Sequence, residues 1–250
     1  MSRSKFIRDE NFLLKLDQNI KCSKDSVIIE IGPGKGALTK YLVAKKFKHL
    51  YLIEKDKQLY HNLKEKYKMR KNISVINDDA LIYDYGYLNK YSNVSIVGNL
   101  PFNISSQLLI LWLDGKIWPS FFKQMVLMFQ KEVAQRIISD HNKKEYGKLS
   151  VLAQSRCKIE KILEAPATIF SPIPKVDGLV LKFIPSKEYK DIDFKNLQSV
   201  LSKSFRFRRK KVKTSLKDYN KLLKVLNIDD NLRAENLSVK DYCNLAKLMN

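Results

Sequence analysis

The residues most suggestive of chemistry lie where an apolar segment ends. The stretch "VSIVGNLPFNIS", residues 94–105, passes from an apolar run into Asn99-Leu100-Pro101-Phe102. The Asn99 side-chain oxygen and a main-chain carbonyl of Leu100 or Pro101 can accept the two hydrogens of an amino group. Pro101 stiffens the turn, and Phe102 offers a flat face on which a base can stack. The pattern predicts a template for the exocyclic amine of a nucleobase; an ordinary Asn- and Pro-rich turn is the alternative.

A glycine-rich turn follows an earlier apolar segment, in "EIGPGKGALT" at residues 30–39. Gly32 and Gly34 permit a sharp turn that lets a ligand approach main-chain amides at a helix N-terminus. The spacing Gly32-x-Gly34-x-x-Ala37 also matches a dinucleotide-binding fingerprint, whereas the G-x-x-x-x-G-K-[ST] phosphate-binding pattern is absent. The turn therefore predicts a nucleotide-like ligand and leaves a nicotinamide cofactor open.

Acidic residues end the next two apolar segments. Glu54 ends "LYLIEKD", where a carboxylate can accept both hydroxyls of a ribose. Asp79 ends "INDDA" and is placed to read the amine edge of an adenine, although the neighbouring Asp78 leaves the register open. Because ligands bind at the carboxyl ends of strands in parallel sheets, these residues predict a ligand that contains adenosine.

Alternating strand and helix patterns position these residues. Apolar segments predict strands at 26–32, 49–56, 73–79, 94–99 and 124–129, and amphipathic segments predict helices at 36–46, 57–68, 106–115 and 130–139. The spacing is typical of βαβ units and a mostly parallel sheet. Two further strands at 157–166 and 176–185 predict an antiparallel end to it. Past Pro185 only helical periodicity remains, so we predict domains at 1–185 and 186–250.

Composition favours a polyanionic partner. The 250 residues carry a formal net charge of +21, from 47 Lys and Arg against 26 Asp and Glu. Nucleic acid is the first candidate for such a chain. Lysine excess also arises from codon bias, but three of the nine arginines cluster in "SFRFRRKKVK", residues 204–213. That cluster is the stronger evidence.

Other features bound the compartment and the chemistry. No run of about 20 apolar residues predicts a membrane span, and "MSRSKFIRDENF" lacks the apolar core of a secretory signal. Cys22, Cys157 and Cys243 lie far apart with no metal-binding spacing, so we expect reduced thiols and no metal site. A cytoplasmic protein is therefore expected.

The ordered motifs resemble class I S-adenosylmethionine-dependent methyltransferases. More narrowly, the chain is similar to the KsgA family of small-subunit ribosomal RNA adenine dimethyltransferases. The resemblance rests on "EIGPGKGALT", "IEKD", "NDDA" and "GNLPFNISS", and continues through "FQKEVAQRI", "YGKLSVLAQ", "FSPIPKVDGLVLKF", "FRFRRKKVKTSL" and "RAENLSVKDYCNLA". It covers nearly the whole chain and implies a Rossmann-like α/β catalytic domain at 1–185 and a small all-α RNA-binding domain at 186–250.

The resemblance also implies roles for individual residues. Gly32 would contact S-adenosylmethionine, Glu54 its ribose and Asp79 its adenine, while Asn99 would hold the target amine and Phe102 would stack on the base. Phe170, in "FSPIPKVD", matches a loop aromatic near the target base; a core aromatic is the alternative. The residues assigned to the cofactor are Lys5, Ile7, Gly32, Gly34, Glu54, Asp79 and Asn99.

One departure from the family lies at the N-terminus. The family motif Gly-Gln-Asn-Phe-Leu aligns with Ser4-Lys5-Phe6-Ile7, so the Gly and Gln are lost and Lys5 replaces the asparagine. The nearby "DENFL", residues 9–13, is taken as the segment that follows the motif. Main-chain contacts from Lys5 and Ile7 are still expected, and reduced cofactor affinity is a consequence of this alignment.

The implied reaction is an in-line transfer of methyl from the sulfonium to an adenine amine, for which neither a metal nor a catalytic base is required. The target must leave its stack, so single-stranded or loop RNA is the expected substrate. The basic cluster would hold its backbone, with a solvated helix face as the alternative. The cluster comprises Arg206, Arg208, Arg209, Lys210, Lys211 and Lys213.

The family implies dimethylation of two adjacent adenines in a 16S rRNA loop, coupled to small-subunit biogenesis. A monomer is expected. Four alternatives stay open from the sequence. They are a non-catalytic ribosome assembly factor, an erythromycin-resistance-type rRNA methyltransferase, a DNA adenine methyltransferase, and a nicotinamide-dependent oxidoreductase. The last leaves the Asn99–Phe102 turn and the basic helical segment unexplained.

Overall fold

A computed structural model describes residues 6–115 and 118–249 and contains two sheets. The strands are β1 (Phe6–Ile7), β2 (Val27–Ile31), β3 (His49–Glu54), β4 (Ile73–Asn77), β5 (Val94–Asn99), β6 (Gln124–Gln130), β7 (Cys157–Ala165), β8 (Phe170–Ser171) and β9 (Gly178–Pro185). Seven of them form one sheet in the order β4-β3-β2-β5-β6-β9-β7, and β1 pairs with β8. Each predicted strand is present.

The large sheet is parallel from β4 through β6. Strand β9 then runs antiparallel to β6, with Leu127 opposite Leu181. All five residues of β2 are buried, as expected for a central strand covered on both faces. The order places the carboxyl ends of β3, β2 and β5 side by side, and it confirms the predicted fold class.

Ten α-helices accompany the strands in the described part of the chain. They are α1 (Glu10–Gln18), α2 (Thr39–Leu42), α3 (Lys57–Tyr67), α4 (Ser105–Leu113), α5 (Lys131–Ile138), α6 (Lys148–Arg156), α7 (Phe194–Arg206), α8 (Val212–Ser215), α9 (Asn220–Val225) and α10 (Val239–Lys247). The prediction of a helix over 36–46 was wrong in extent, because only four residues are helical. Gly36 has φ of +82°, which a helix cannot contain. Helices α1 and α6 were not predicted.

The chain folds as two compact units. The first comprises residues 6–108, 121–134 and 159–184, and the second comprises the described parts of 109–120, 135–158 and 185–249. The last segment of the second unit begins at 185, where the sequence predicts a boundary. Residues 109–120 and 135–158 also belong to the second unit in their described parts, so a single boundary at 185 does not divide the chain into these two units.

Apolar faces of the flanking helices build the core of the first unit. In α1, Leu13 and Leu16 are buried, and in α3 Leu63 and Tyr67 are buried against the same cluster. The Asp9 carboxylate accepts a hydrogen bond from the Phe12 N–H and so fixes the start of α1. "DENFL" is therefore the beginning of a core helix.

The second unit has its own core around α7 and α10. Arg156 is 2% exposed, and its guanidinium carbon lies 4.9 Å from the Trp118 ring centroid and 5.0 Å from that of Phe194. Burial lowers the pKa of this guanidinium. Such an arginine packs in the core of the unit and is not available to a ligand.

No described helix is long and apolar enough to cross a membrane. Cys22, Cys157 and Cys243 carry free thiols. Among residues 6–115 and 118–249, no group of three or more His, Cys, Asp or Glu side chains is arranged to hold a metal ion.

Candidate active site

A cavity of about 780 Å³ opens at the carboxyl ends of the parallel strands, within the first unit. A volume of this size accommodates a nucleoside-containing ligand. Its walls bring together most of the residues that the sequence predicts. These lining residues are Ile7, Gly32, Gly34, Glu54, Asn99, Leu100, Pro101, Phe102 and Phe170.

The glycine-rich turn after β2 forms the floor of the cavity. Gly32 has φ of +62°, and a Cβ built there meets no atom within 4 Å, so this backbone faces open space. Gly34 has φ of +59°, and its Cβ would lie 2.8 Å from Cε1 of Phe6. Both positions therefore favour glycine. Gly32 does so because of its positive φ, and Gly34 does so because of its positive φ and the lack of space for a Cβ.

Glu54, the last residue of β3, is 7% exposed and holds the turn in place. Its Oε2 accepts a hydrogen bond from the Gly34 N–H at 3.0 Å, and its Oε1 accepts one from the Asp56 N–H at 2.9 Å. Each carboxylate oxygen keeps a further lone pair, so the group can still accept ribose hydroxyls. The Gly34 amide, however, is bonded to Glu54 and is not directed at a ligand.

Asp79 differs from the other predicted residues because it does not line the cavity. Its Oδ2 accepts a hydrogen bond from Lys55 Nζ at 2.7 Å, and its Oδ1 accepts one from the Leu81 N–H at 3.0 Å. The Lys55 ammonium, and then the Leu81 amide, hold the pKa of this carboxyl below its usual range. Lys55 itself lines the cavity and is 75% exposed.

Asn99 ends β5, directly after a close approach of that strand to β2. A Cβ at Gly98 would lie 2.8 Å from the carbonyl oxygen of Ile31, so glycine is needed for this approach. The close packing of the two strands places half-buried Asn99 on the same cavity as the glycine turn.

The turn after Asn99 leads into α4. The Pro101 carbonyl accepts a hydrogen bond from the Ile104 N–H at 3.1 Å, and the Phe102 carbonyl accepts one from Ser105 Oγ at 3.2 Å. Both carbonyls are used in starting the helix. Of the two carbonyls that the sequence left open, that of Leu100 is therefore the better acceptor for a bound amine.

The small sheet of β1 and β8 forms another wall. Ile7 pairs with Phe170, and the Arg8 N–H donates to the Ile169 carbonyl at 2.8 Å. Phe170 is 3% exposed, so it belongs to the core as well as to the cavity wall. Ile7 lines the cavity, and Lys5 lies outside the described residues.

Sequence reasoning missed four cavity residues that can influence a ligand. Phe6 packs over the glycine turn, Lys55 holds Asp79, and Gln130 ends β6. Glu30 is the fourth; it is 2% exposed, and its Oε2 accepts a hydrogen bond from Thr39 Oγ1 at 2.7 Å. The motif "EIGPG" contains Glu30, so an acid within an otherwise apolar strand was the available signal.

Comparison with known proteins gives a consistent result. The family model for ribosomal RNA adenine dimethylase matches residues 2–250. The chain belongs to this family. It therefore shares the family's activity as an S-adenosylmethionine-dependent adenine methyltransferase, which confirms the predicted enzyme class and cofactor.

Similar proteins match this chain over nearly its full length. "Ribosomal RNA small subunit methyltransferase A" of Pelagibacter ubique is 38% identical over 250 residues, covering 97% of this chain and 93% of that protein. The protein of the same name from Blochmanniella pennsylvanica is 34% identical over 252 residues, covering 98% and 92%.

Solved structures show the same fold. A dimethyladenosine transferase from Plasmodium falciparum has a TM-score of 0.82 at 25% identity, over 96% of this chain and 95% of that chain. The 23S rRNA methyltransferase ErmE has a TM-score of 0.71 at 20% identity, over 97% and 98%. The latter likeness concerns the fold alone.

The cavity of this dimethylase fits S-adenosylmethionine. The open backbone at Gly32 leaves room for a ligand against the turn, and the Glu54 carboxylate is fixed at the adjoining strand end. Glu54 places an acid in the wall of a cavity whose ligand is a cation. The residues present therefore suit the group.

The basic cluster lies in the second unit, and its side chains differ in whether they are already bonded within the protein. Arg208 Nε forms an ion pair with Glu235 at 2.8 Å, and its guanidinium also donates to the Lys144 carbonyl. Lys211 and Lys213 both donate to Asn231 Oδ1, at 3.1 and 3.0 Å. Arg208 is thus engaged within the protein.

The remaining cations of the cluster are exposed. The Arg209 side chain forms no hydrogen bond or ion pair with the part of the chain that the structure describes. Arg206 and Lys210 lie beside the ring of Phe207. These three side chains are the ones best placed to meet a phosphate backbone.

Proposed function

We propose that this enzyme dimethylates the exocyclic amines of two adjacent adenines in a loop of 16S ribosomal RNA, during assembly of the small subunit. The observation that carries the proposal is the placement of the Asn99 turn on the same cavity as Glu54 and the glycine turn. The residues proposed to hold the target amine and those proposed to bind the cofactor's nucleoside then line the same cavity. The relatives' name, which specifies the small subunit, supports the choice of RNA.

Within the cavity each residue has a proposed task. The Glu54 carboxylate accepts the ribose hydroxyls, and Gly32 lets the ligand approach the backbone. Asp79 accepts a hydrogen bond from the amine of the cofactor's adenine. The exposed Lys55 side chain first moves aside, or it shares the Asp79 carboxylate with that amine. S-adenosylmethionine supplies, when bound, a methyl group on a positively charged sulfur.

The target base is held from three directions. Asn99 Oδ1 and the Leu100 carbonyl accept the two amine hydrogens, which draws the nitrogen toward tetrahedral geometry and frees its lone pair. Phe102 stacks on the base, and Phe170 closes the wall. Once the first methyl group is transferred and the amine has lost a proton, one hydrogen remains, and one of these acceptors can hold it for the second transfer.

We propose further that residues 186–250 contribute the RNA-binding function and 1–185 the catalytic function. The exposed cations Arg206, Arg209 and Lys210 support this division, since they lie in the last segment of the second unit. The enzyme is proposed to act as a monomer, without a metal, in the cytoplasm, where ribosomal subunits are assembled.

The proposal is tested by methyl transfer from radiolabelled S-adenosylmethionine to under-methylated small subunits, with large subunits in parallel. Nucleosides from each RNA are then separated. Label is expected in dimethyladenosine from the small subunit, with little in the large subunit. Label in the large subunit alone would contradict the choice of RNA. Binding of small subunits without transfer would indicate an assembly factor.

A further inference from the structure

Phe207 is an aromatic side chain that the core does not use. It follows the last residue of α7, its backbone has φ of −126° and ψ of 67°, and the residue is 47% exposed. Phe205, two residues earlier, lies 6.2 Å from the Tyr146 ring and 5.7 Å from the Tyr242 ring, between centroids. The chain leaves its helix after Arg206, and of the two phenylalanines only Phe205 packs inside the unit.

Cations surround the exposed ring. Lys210 Nζ lies 4.9 Å from the Phe207 ring centroid, and the guanidinium carbon of Arg206 lies 5.4 Å from it. Arg206, Arg209 and Lys210 are all exposed. An aromatic face bordered by free positive charge is the combination that single-stranded nucleic acid requires, because the ring meets a base while the cations meet its phosphates.

A base can take the place of a cation on this ring. A cation–π contact at an exposed site is weaker than stacking of a nucleobase on an aromatic ring. A phosphate would also draw Arg206 or Lys210 off the ring into an ion pair. In the free protein the two cations lie over the ring, and a bound nucleotide would displace them.

We propose that Phe207 is a stacking platform for an unpaired base of the RNA substrate. The proposal rests on the proposed function, because it assumes an RNA substrate, and it adds a second base-binding position to that of Phe102. It commits to an unpaired base because a base inside a duplex has both of its faces covered.

The test uses the full chain and two RNA probes of equal length, one single-stranded and one duplex. Binding is measured by fluorescence anisotropy over a series of salt concentrations. Phe207→Leu keeps apolar volume and removes the stacking ring, and should weaken single-strand binding about 5- to 100-fold. Duplex binding and the salt dependence of both probes should not change. Phe207→Trp should retain the wild-type affinity.

Arg209→Gln is the matched variant for charge. It should weaken binding to both probes and reduce the slope of log affinity against log salt by about one. Thermal unfolding of Phe207→Leu should match the wild type, whereas Phe205→Leu should unfold at lower temperature because Phe205 is packed.

Three results would overturn the proposal: unchanged single-strand binding by Phe207→Leu, an equal loss on both probes, or no single-strand binding by the wild type. An acidic protein or a lipid surface would then be the partner to examine. Dimethyladenosine formation by the wild type is measured separately on small subunits. Phe207-dependent binding without that product would refute the proposed function and leave the stacking site standing.

Discussion

Glu30 is the more deeply buried of the two glutamates in the cavity wall. Burial raises the pKa of its carboxyl to about 8, the Thr39 hydroxyl opposes this shift through its hydrogen bond, and the nearby Glu54 charge adds to it. The phenol of Tyr67 also faces Glu30, and burial raises the pKa of that phenol. At neutral pH the uncharged form of Glu30 therefore predominates in the free protein.

Stability should depend on pH through this residue. The folded-state pKa lies above the ordinary value of 4.5, so between these values the folded state binds more protons than the unfolded state. The free energy of unfolding then decreases as pH rises through this interval, and the loss is complete above about pH 8. Glu30→Gln keeps an acceptor for Thr39 and removes the titration.

We expect Glu30→Gln to unfold at the same temperature as the wild type near pH 5, and several degrees higher near pH 9. Thermal unfolding without cofactor, followed by circular dichroism, measures this difference. A difference that does not change with pH would show that titration of Glu30 is not its cause.

Single residues of the site were predictable to different degrees. Asn99 and Glu54 were found because each ends an apolar strand, and strand ends meet at one edge of a parallel sheet. The pairing of Lys55 with Asp79 and the choice of Leu100 over Pro101 depend on side-chain and turn geometry. No local sequence pattern encodes such contacts.

The turn between β2 and α2 is the element on which the cavity depends most. It has a short helix behind it, so a helix N-terminus contributes little, and the glycine backbone itself must make room for the ligand. Gly34 is the more sensitive of its glycines, because its amide holds Glu54 and its α-carbon faces Phe6.

Gly34→Ala should therefore weaken S-adenosylmethionine binding roughly tenfold or more, because a strained turn must be re-formed when the ligand binds. Isothermal titration calorimetry measures the dissociation constant. The control is Gly147→Ala, where a Cβ meets no atom within 4 Å and φ is −173°. Equal affinities for both variants would show that the turn does not shape the site.

Elements with strong periodicity were predicted well, and those set by tertiary contacts were not. Strands β2 through β6 are long apolar runs, whereas β1 and β8 have two residues each and exist only because they pair with each other. Helix α6 mixes buried serines with apolar residues and shows no clear stripe. Tertiary contacts within the second unit, and not a periodic pattern, therefore determine that this segment is helical.

On the scale of the whole molecule, composition predicts the class of partner through the net charge, but it does not predict the domain organisation. The net charge of +21 indicated a polyanionic partner, and family membership gives ribosomal RNA. Composition could not show that Arg208 is engaged by Glu235, or that residues 135–158 pack with the C-terminal segment. Both depend on contacts between residues distant in sequence.

The central claim is that the turn after β5 holds the adenine amine during transfer. The most direct measurement is the rate of dimethyladenosine formation on under-methylated small subunits at saturating S-adenosylmethionine, for the wild type, Asn99→Ala and Asn62→Ala. Asn62 is exposed on α3, and its side chain bonds only to Gln58 among the described residues, so it is a matched control. We predict a loss of about 100-fold or more for Asn99→Ala, the scale of removing one positioned hydrogen-bonding group, with Asn62→Ala unchanged. A wild-type rate from Asn99→Ala would contradict the claim.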